Sequence, residues 1–205
     1  MKVLLINGSP KAKGCTFTAL TEVAAALEKE GIATEIFHVG VKPIRGCMAC
    51  QKCDDGKCIY NDDTVNIALE KAKEADAFVF GSPVHYAGAS GHITSFLDRF
   101  FYAGEGFENK PGAAIVSCRR GGAASAFDQL NKYFSISSMP VVSSQYWNMV
   151  HGTTPEEVRR DLEGMQTMRT LGKNMAWLLK CIQAGREAGV PLPRQEPRER
   201  TNFIR

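Results

Sequence analysis

A chain of 205 residues is long enough for one domain with a well-buried core, and 44% apolar with 23% charged residues is an ordinary globular composition. The formal net charge is only +3, with both signs interspersed, which argues against nucleic acid as the main partner. The opening apolar run Val3-Leu4-Leu5-Ile6 is too short for a signal peptide or a membrane span. A cytoplasmic protein with no membrane partner is therefore expected, with its thiols kept reduced.

In chain order, short β-rich runs alternate with longer helical patterns. Residues 3–6 read as a buried strand, and 16–30 show helical periodicity that Gly31 stops. Residues 34–39 read as a second strand, and 62–73 as a helix capped by Asp62 or Asp63. Residues 77–81, 113–117 and 141–144 complete the expected strands. Helices are expected at 91–102, 123–134 and 154–182, the last opened by Thr154, Pro155 and Glu157 as a capping box with proline at the first helical position. Five strands alternating with five helices imply an α/β three-layer sandwich, a five-stranded parallel sheet covered by helices on both faces. A domain over 1–183 is expected, with 184–205 as a solvated tail or an arm that packs on a partner subunit through Val190, Leu192, Phe203 and Ile204. In such sheets ligands bind at the carboxyl ends of the strands, which singles out loops 7–16, 82–90 and 117–122.

The first loop, Asn7-Gly8-Ser9-Pro10-Lys11-Ala12-Lys13-Gly14-Cys15-Thr16, is neither a Walker loop nor the three-glycine dinucleotide fingerprint. It offers the Ser9 and Thr16 hydroxyls, the Lys11 charge, a glycine that lets N–H groups turn inward, and a helix N-terminus. These suit a phosphate monoester, although an ordinary β–α turn would look alike. In the second loop, Pro83-Val84-His85-Tyr86-Ala87-Gly88 sets an aromatic beside exposed backbone, as a flat ring requires. His85 reads equally as a plain surface histidine. The third loop, Ser117-Cys118-Arg119-Arg120-Gly121-Gly122, pairs flexible glycines with positive charge, which a ligand or solvent would equally take up.

Gly8-Ser9-Pro10-Lys11, the Ser82-Pro83-Val84 segment leading to Phe96-Leu97-Asp98-Arg99, and the glycine-rich third loop resemble the signatures of NADPH-dependent FMN reductases, of the flavodoxin-like superfamily. Asp161-Leu162-Glu163-Gly164-Met165 and Leu171-Gly172 are similar to that family's last helix, so the likeness spans about residues 1–182. It implies a flavodoxin-like fold with FMN phosphate held by Ser9, Lys11, Cys15, Thr16 and Phe17. Pro83, Val84, His85, Tyr86 and Gly88 would lie along the ring, with Ser117, Arg119, Arg120, Gly121 and Gly122 at its pyrimidine edge. Cys15 departs from the family's Gly-Asn-Thr, leaving its backbone N–H for the phosphate without a side-chain amide. The implied activity passes electrons from NADPH or NADH through FMN to a small-molecule acceptor such as a quinone, a nitro or azo compound, a flavin or a metal ion. The chemistry belongs to the cofactor, so no catalytic side chain is assigned. The likeness also implies a homodimer or homotetramer. Tyr146-Trp147-Asn148 suits such a contact, unless Trp147 packs in the core.

Four of the seven cysteines crowd into Cys47-x2-Cys50-x2-Cys53-x4-Cys58. Thiolates so spaced can wrap a [4Fe–4S] cluster. The segment resembles the compact motif of iron–sulfur flavoproteins, which implies an alternative role: carrying electrons from a ferredoxin-type donor to FMN. Zinc, a redox disulfide, or no ligand at all remain alternative readings of these residues. Of the other cysteines, Cys118 and Cys181 read as buried structural thiols.

Overall fold

A computed structural model describes residues 1–205 apart from 195, 198, 200, 202, 204 and 205. Among the described residues, five parallel strands form a sheet in the order β2-β1-β3-β5-β6, and β4 pairs antiparallel with β3. The strands are β1 (Lys2–Asn7), β2 (Ala33–His38), β3 (Ala77–His85), β4 (Gly88–Ala89), β5 (Gly112–Cys118) and β6 (Met149–His151). The helices are α1 (Cys15–Lys29), α2 (Val65–Lys73), α3 (Gly91–Ala103), α4 (Ala123–Ile136), α5 (Pro155–Arg160) and α6 (Leu162–Glu187). This is the parallel α/β arrangement expected from the alternation, and the flavodoxin-like fold that the resemblance implied. None of the described helices is long and apolar enough to cross a membrane.

Burial of β1 and β3 on both faces explains why they read as continuous apolar runs. Leu4, Ile6, Phe78 and Phe80 face α2, α3 and α4, while Val3, Leu5, Ala77 and Val79 face α1, α5 and α6. The first face is dominated by phenylalanine. Phe80 packs edge-on against Phe100, and Phe100 stacks on Phe107 at 5.1 Å between centroids.

Three expectations are corrected. The fifth strand does not run over 141–144. Val141 makes one bridge to Gly112, and Val142 N–H donates to the Gly112 carbonyl at 2.8 Å. The chain then leaves the sheet and rejoins it at Met149–His151. Ser144 diverts it, because its single hydroxyl proton is shared between the Tyr146 carbonyl (2.6 Å) and Asn148 Oδ1 (2.7 Å), local bonding that competes with a ladder. Asn148, which is buried, closes the gap by donating from Nδ2 to the Ala114 carbonyl at 3.0 Å.

The long helix over 154–182 is two helices, divided at Asp161. There ψ is 81°, and Oδ1 accepts from Gly164 N–H at 2.9 Å. Asp161 Oδ2 also accepts from His151 N–H at 2.6 Å, so one carboxylate both starts α6 and anchors β6. At the start of α5, Thr154 Oγ1 accepts from Glu157 N–H, whereas Glu157 returns its bond to Thr153 N–H, one residue early for a capping box.

Finally, Cys181 is exposed rather than buried. The inward residues of α6 include Leu171, Met175 and Leu179. A position two residues beyond Leu179 falls on the opposite side of a 3.6-residue turn.

Candidate functional site

The three loops singled out from sequence leave neighbouring strands and bind one another. Asn7, buried at the end of β1, shapes the first. Its Oδ1 accepts from Ser9 N–H and its Nδ2 donates to the Ala12 carbonyl, both at 3.1 Å. Ser9 Oγ accepts from Lys11 N–H at 3.1 Å, keeping its own proton to give away. Among the described residues no side chain caps α1 at Gly14, and its first turn holds no acidic residue. The positive end of the helix, with the N–H groups of Cys15, Thr16 and Phe17, is therefore presented to an anion.

Each loop is tied to the other two. Ser90 caps α3, accepting from Ile93 N–H, and donates to the Gly8 carbonyl at 3.3 Å, joining the second loop to the first. Thr16 Oγ1 and Ser117 Oγ lie 2.8 Å apart and buried, joining the first to the third. Gly122, at φ +84°, joins the third to the second, since a Cβ there would stand 2.5 Å from Ala87 Cα. Sequence reasoning missed two supports: His38 Nε2, 2.8 Å from the Ser9 carbonyl, and Gln129 Oε1, which accepts from Ala89 N–H at 3.0 Å. Nothing local to either residue signals these contacts.

Most of the expected site residues lie at this edge. Pro83, Val84 and Gly88 are half-buried, and His85, Arg119, Arg120 and Gly121 are exposed, as is Lys11. Tyr86 is fully exposed at the tip of the β3–β4 hairpin, where Tyr86 and Ala87 both take left-handed backbone (φ 50° and 61°). Such hairpins ordinarily use Asn-Gly or Gly-Gly, and left-handed non-glycine residues store strain that clusters at ligand sites. Cys15 Sγ lies 3.7 Å from the Gly152 carbonyl, and burial pushes its thiol up.

The cysteine segment builds a second feature. Cys47, Cys50, Cys53 and Cys58 line one small cavity with Met48, Tyr60, Arg99 and Tyr102. The four-residue spacing between Cys53 and Cys58 is a tight hairpin. Asp54 and Lys57 exchange backbone hydrogen bonds of 3.0 and 2.9 Å across Asp55 and Gly56, both left-handed, so the two thiols flank it side by side. Burial first, then Cys58, Cys50 and Cys47 as neighbours, push the Cys53 thiol up. Ala49 and Gln51 are also left-handed (φ 50° and 55°). Alternating backbone of this kind turns N–H groups into the concavities that hold phosphates and iron–sulfur centres. Among the described residues, no three His, Cys, Asp or Glu side chains group as ligands of a single metal ion.

Behind the thiols, Arg99 is buried at 1% exposure and paired with Asp63. An open groove of about 1070 Å³ runs beside the loop, rimmed by Asp54, Asp55, Asp98, Glu105 and Glu108. Tyr133 lines it too, giving its hydroxyl proton to Asp98 at 2.5 Å; burial foremost, then this acceptor, pushes the phenol up.

The family described as NADPH-dependent FMN reductase matches residues 1–154. An iron–sulfur flavoprotein of Methanocaldococcus jannaschii is 36% identical over 193 residues, covering 89% of this chain and all of the relative. One from Archaeoglobus fulgidus is 30% identical over 203 residues, covering 92% of this chain and all of the relative. Among solved structures, RosB with a bound riboflavin-phosphate intermediate superposes with a TM-score of 0.70 at 18% identity, covering 100% of this chain and 94% of RosB. An archaeal flavodoxin gives 0.61 at 16% identity, covering 88% of this chain and 99% of the flavodoxin.

Proposed function

The chain belongs to the NADPH-dependent FMN reductase family, and from that premise we propose that it binds FMN across its three interlocked loops and moves electrons from NADPH or NADH to a small-molecule acceptor. The observation that carries this reading is the α1 terminus, which has no side-chain cap and no acidic residue in its first turn and follows a loop that carries Ser9 and Lys11. Backbone N–H groups of Cys15, Thr16 and Phe17 and the Ser9 and Thr16 hydroxyls hold the phosphate, with Lys11 adding charge. The Pro83–Gly88 hairpin carries the ring, and Gly121 and Gly122 let backbone approach its edge. Arg119 and Arg120, both exposed, stabilise negative charge on the reduced ring or on the nicotinamide dinucleotide. Bound FMN supplies both hydride and single-electron chemistry. These loops would orient it for exchange with a donor and an acceptor.

The four cysteines line one cavity over left-handed backbone, a donor set that suits a [4Fe–4S] cluster. Such a group supplies single-electron exchange when bound. This favours a second reading, in which a ferredoxin-type protein is the donor. The acidic groove beside the cysteines then requires a partner that presents a basic face.

The half-exposed Tyr146 and Trp147, with Val190, Leu192 and Phe203 exposed on the tail, support assembly as a homodimer or homotetramer, checked by light scattering.

An anaerobic visible spectrum tests the whole. Flavin bands that bleach with NADPH or NADH, with ping-pong kinetics toward a quinone, are expected. Bands that resist both nicotinamides but bleach with a one-electron donor replace the first reading with the second. Protein that stays colourless and binds no added FMN sinks both.

A further inference from the structure

The mechanism above leaves one buried ion pair unused, that of Arg99 with Asp63. Arg99 projects from α3 into the space behind the cysteine loop, and each of its nitrogens is spent on that loop or its immediate flanks. Nε–H donates to Cys58 Sγ at 3.2 Å, Nη1 to the Arg45 carbonyl at 3.3 Å, and Nη2 to the Tyr60 carbonyl at 2.7 Å. Arg45 and Tyr60 bracket residues 47–58, so one planar group ties both ends of the loop and its last thiol. Asp63, itself buried, pairs with Nη1 and holds the fork in place. Asn66 reinforces the same end, accepting from Cys58 N–H at 2.9 Å and donating to the Cys58 carbonyl at 2.8 Å.

Stability does not account for this arrangement. A buried ion pair gains little over apolar residues of the same volume, because taking two charges out of water is costly. Lysine would neutralise Asp63 but lacks the fixed fork that reaches a sulfur and two carbonyls at once. What arginine uniquely adds here is an N–H aimed at a sulfur. Hydrogen bonds to ligand sulfurs withdraw negative charge and raise the reduction potential of iron–sulfur centres.

We propose that Arg99 is a positioning residue of the cysteine site, fixing Cys58 as a ligand and raising the potential of the centre it helps to hold through its Nε–H···Sγ bond. This rests on the reading of Cys47, Cys50, Cys53 and Cys58 as cluster ligands. It assigns a function to the arginine that sequence analysis matched only as part of Phe96-Leu97-Asp98-Arg99.

The test uses holoprotein reconstituted without oxygen, with iron, sulfide and FMN counted and the centre titrated by electron paramagnetic resonance. Arg99→Lys is expected to keep its FMN, to lose iron several-fold, and to shift its remaining centre to a more negative potential while the flavin potential stays put. A role in folding alone would lower iron without moving that potential, so a remaining centre at the native potential overturns the proposal. A second measurement needs no variant. Native protein labelled with ¹⁵N-arginine is expected to show nitrogen coupling to the reduced centre, and its absence overturns the proposal. If native protein holds no iron or sulfide after reconstitution, the cluster reading falls and takes this role with it. If native protein is loaded and Arg99→Lys matches it in iron and potential, only the role of Arg99 falls.

Discussion

Loops 7–16, 82–90 and 117–122 leave strands whose register is set by a parallel ladder, with Asn7 opposite Gly81 and Pro83 opposite Ser117. Their mutual ties are short and largely backbone: Gly8 N–H to the Gly81 carbonyl, Ser90 Oγ to the Gly8 carbonyl, Gly122 against Ala87. The cysteine loop, residues 47–58, holds a single isolated bridge, between Asp54 and Lys57, and is steadied from behind by the side chains of Arg99, Asp63 and Asn66. The first region is positioned by the fold itself. The second depends on a few polar side chains: Arg99 of α3, Asn66 of α2, and Asp63 just before α2. Each should therefore fail without the other.

The largest separation comes from Cys58→Ala. Removing the most buried of the four thiols is expected to cut iron and sulfide at least about tenfold while FMN content stays within about twofold, read by metal analysis and flavin absorbance. If FMN is lost with the iron, the two regions are not independent.

Gly122→Val attacks the other region. A β-branched residue at φ +84° with its Cβ against Ala87 adds strain of roughly 1–3 kcal/mol and displaces the second loop. FMN affinity is expected to fall about 100-fold by fluorescence titration, with iron retained. Ser9→Ala removes one hydrogen bond to a charged phosphate, worth about 1.5–3 kcal/mol. About tenfold weaker FMN binding is expected, whereas weakening within about twofold would remove Ser9 from the phosphate contacts.

Tyr86→Gly sharpens the comparison in the opposite sense. It relieves a left-handed non-glycine residue, so the apoprotein should gain up to about 1 kcal/mol in denaturant unfolding, while turnover falls through loss of the exposed ring. A stability loss would show that the tyrosine is structural. The smallest effect distinguishes Cys15 and Cys118 from Cys47 in apoprotein. Burial raises Cys15 and Cys118, so at pH 8 less of each is thiolate and alkylation should lag behind the exposed Cys47. Raising the pH should narrow that lag.

What the sequence determined is what period and spacing encode locally. Apolar runs at residues 3–6, 77–81 and 113–117 could only be strands buried on both faces. Their alternation with helices required a parallel sheet, which in turn located the ligand edge. Cysteine spacing announced a site for soft chemistry. What only the tertiary structure decided are contacts between residues far apart in the chain: Thr16 with Ser117 across 101 positions, Arg99 with Cys58 across 41, His38 with Ser9 across 29. The strand expected at 141–144 moved to Met149–His151 for the same reason. Val141 and Val142 have strand character, but Ser144 and Asn148 found better local and cross-strand partners, and a three-residue strand carries too little period to be read. Local sequence sets which backbone states are cheap; which of them a segment keeps depends on hydrogen-bond partners brought near only by folding.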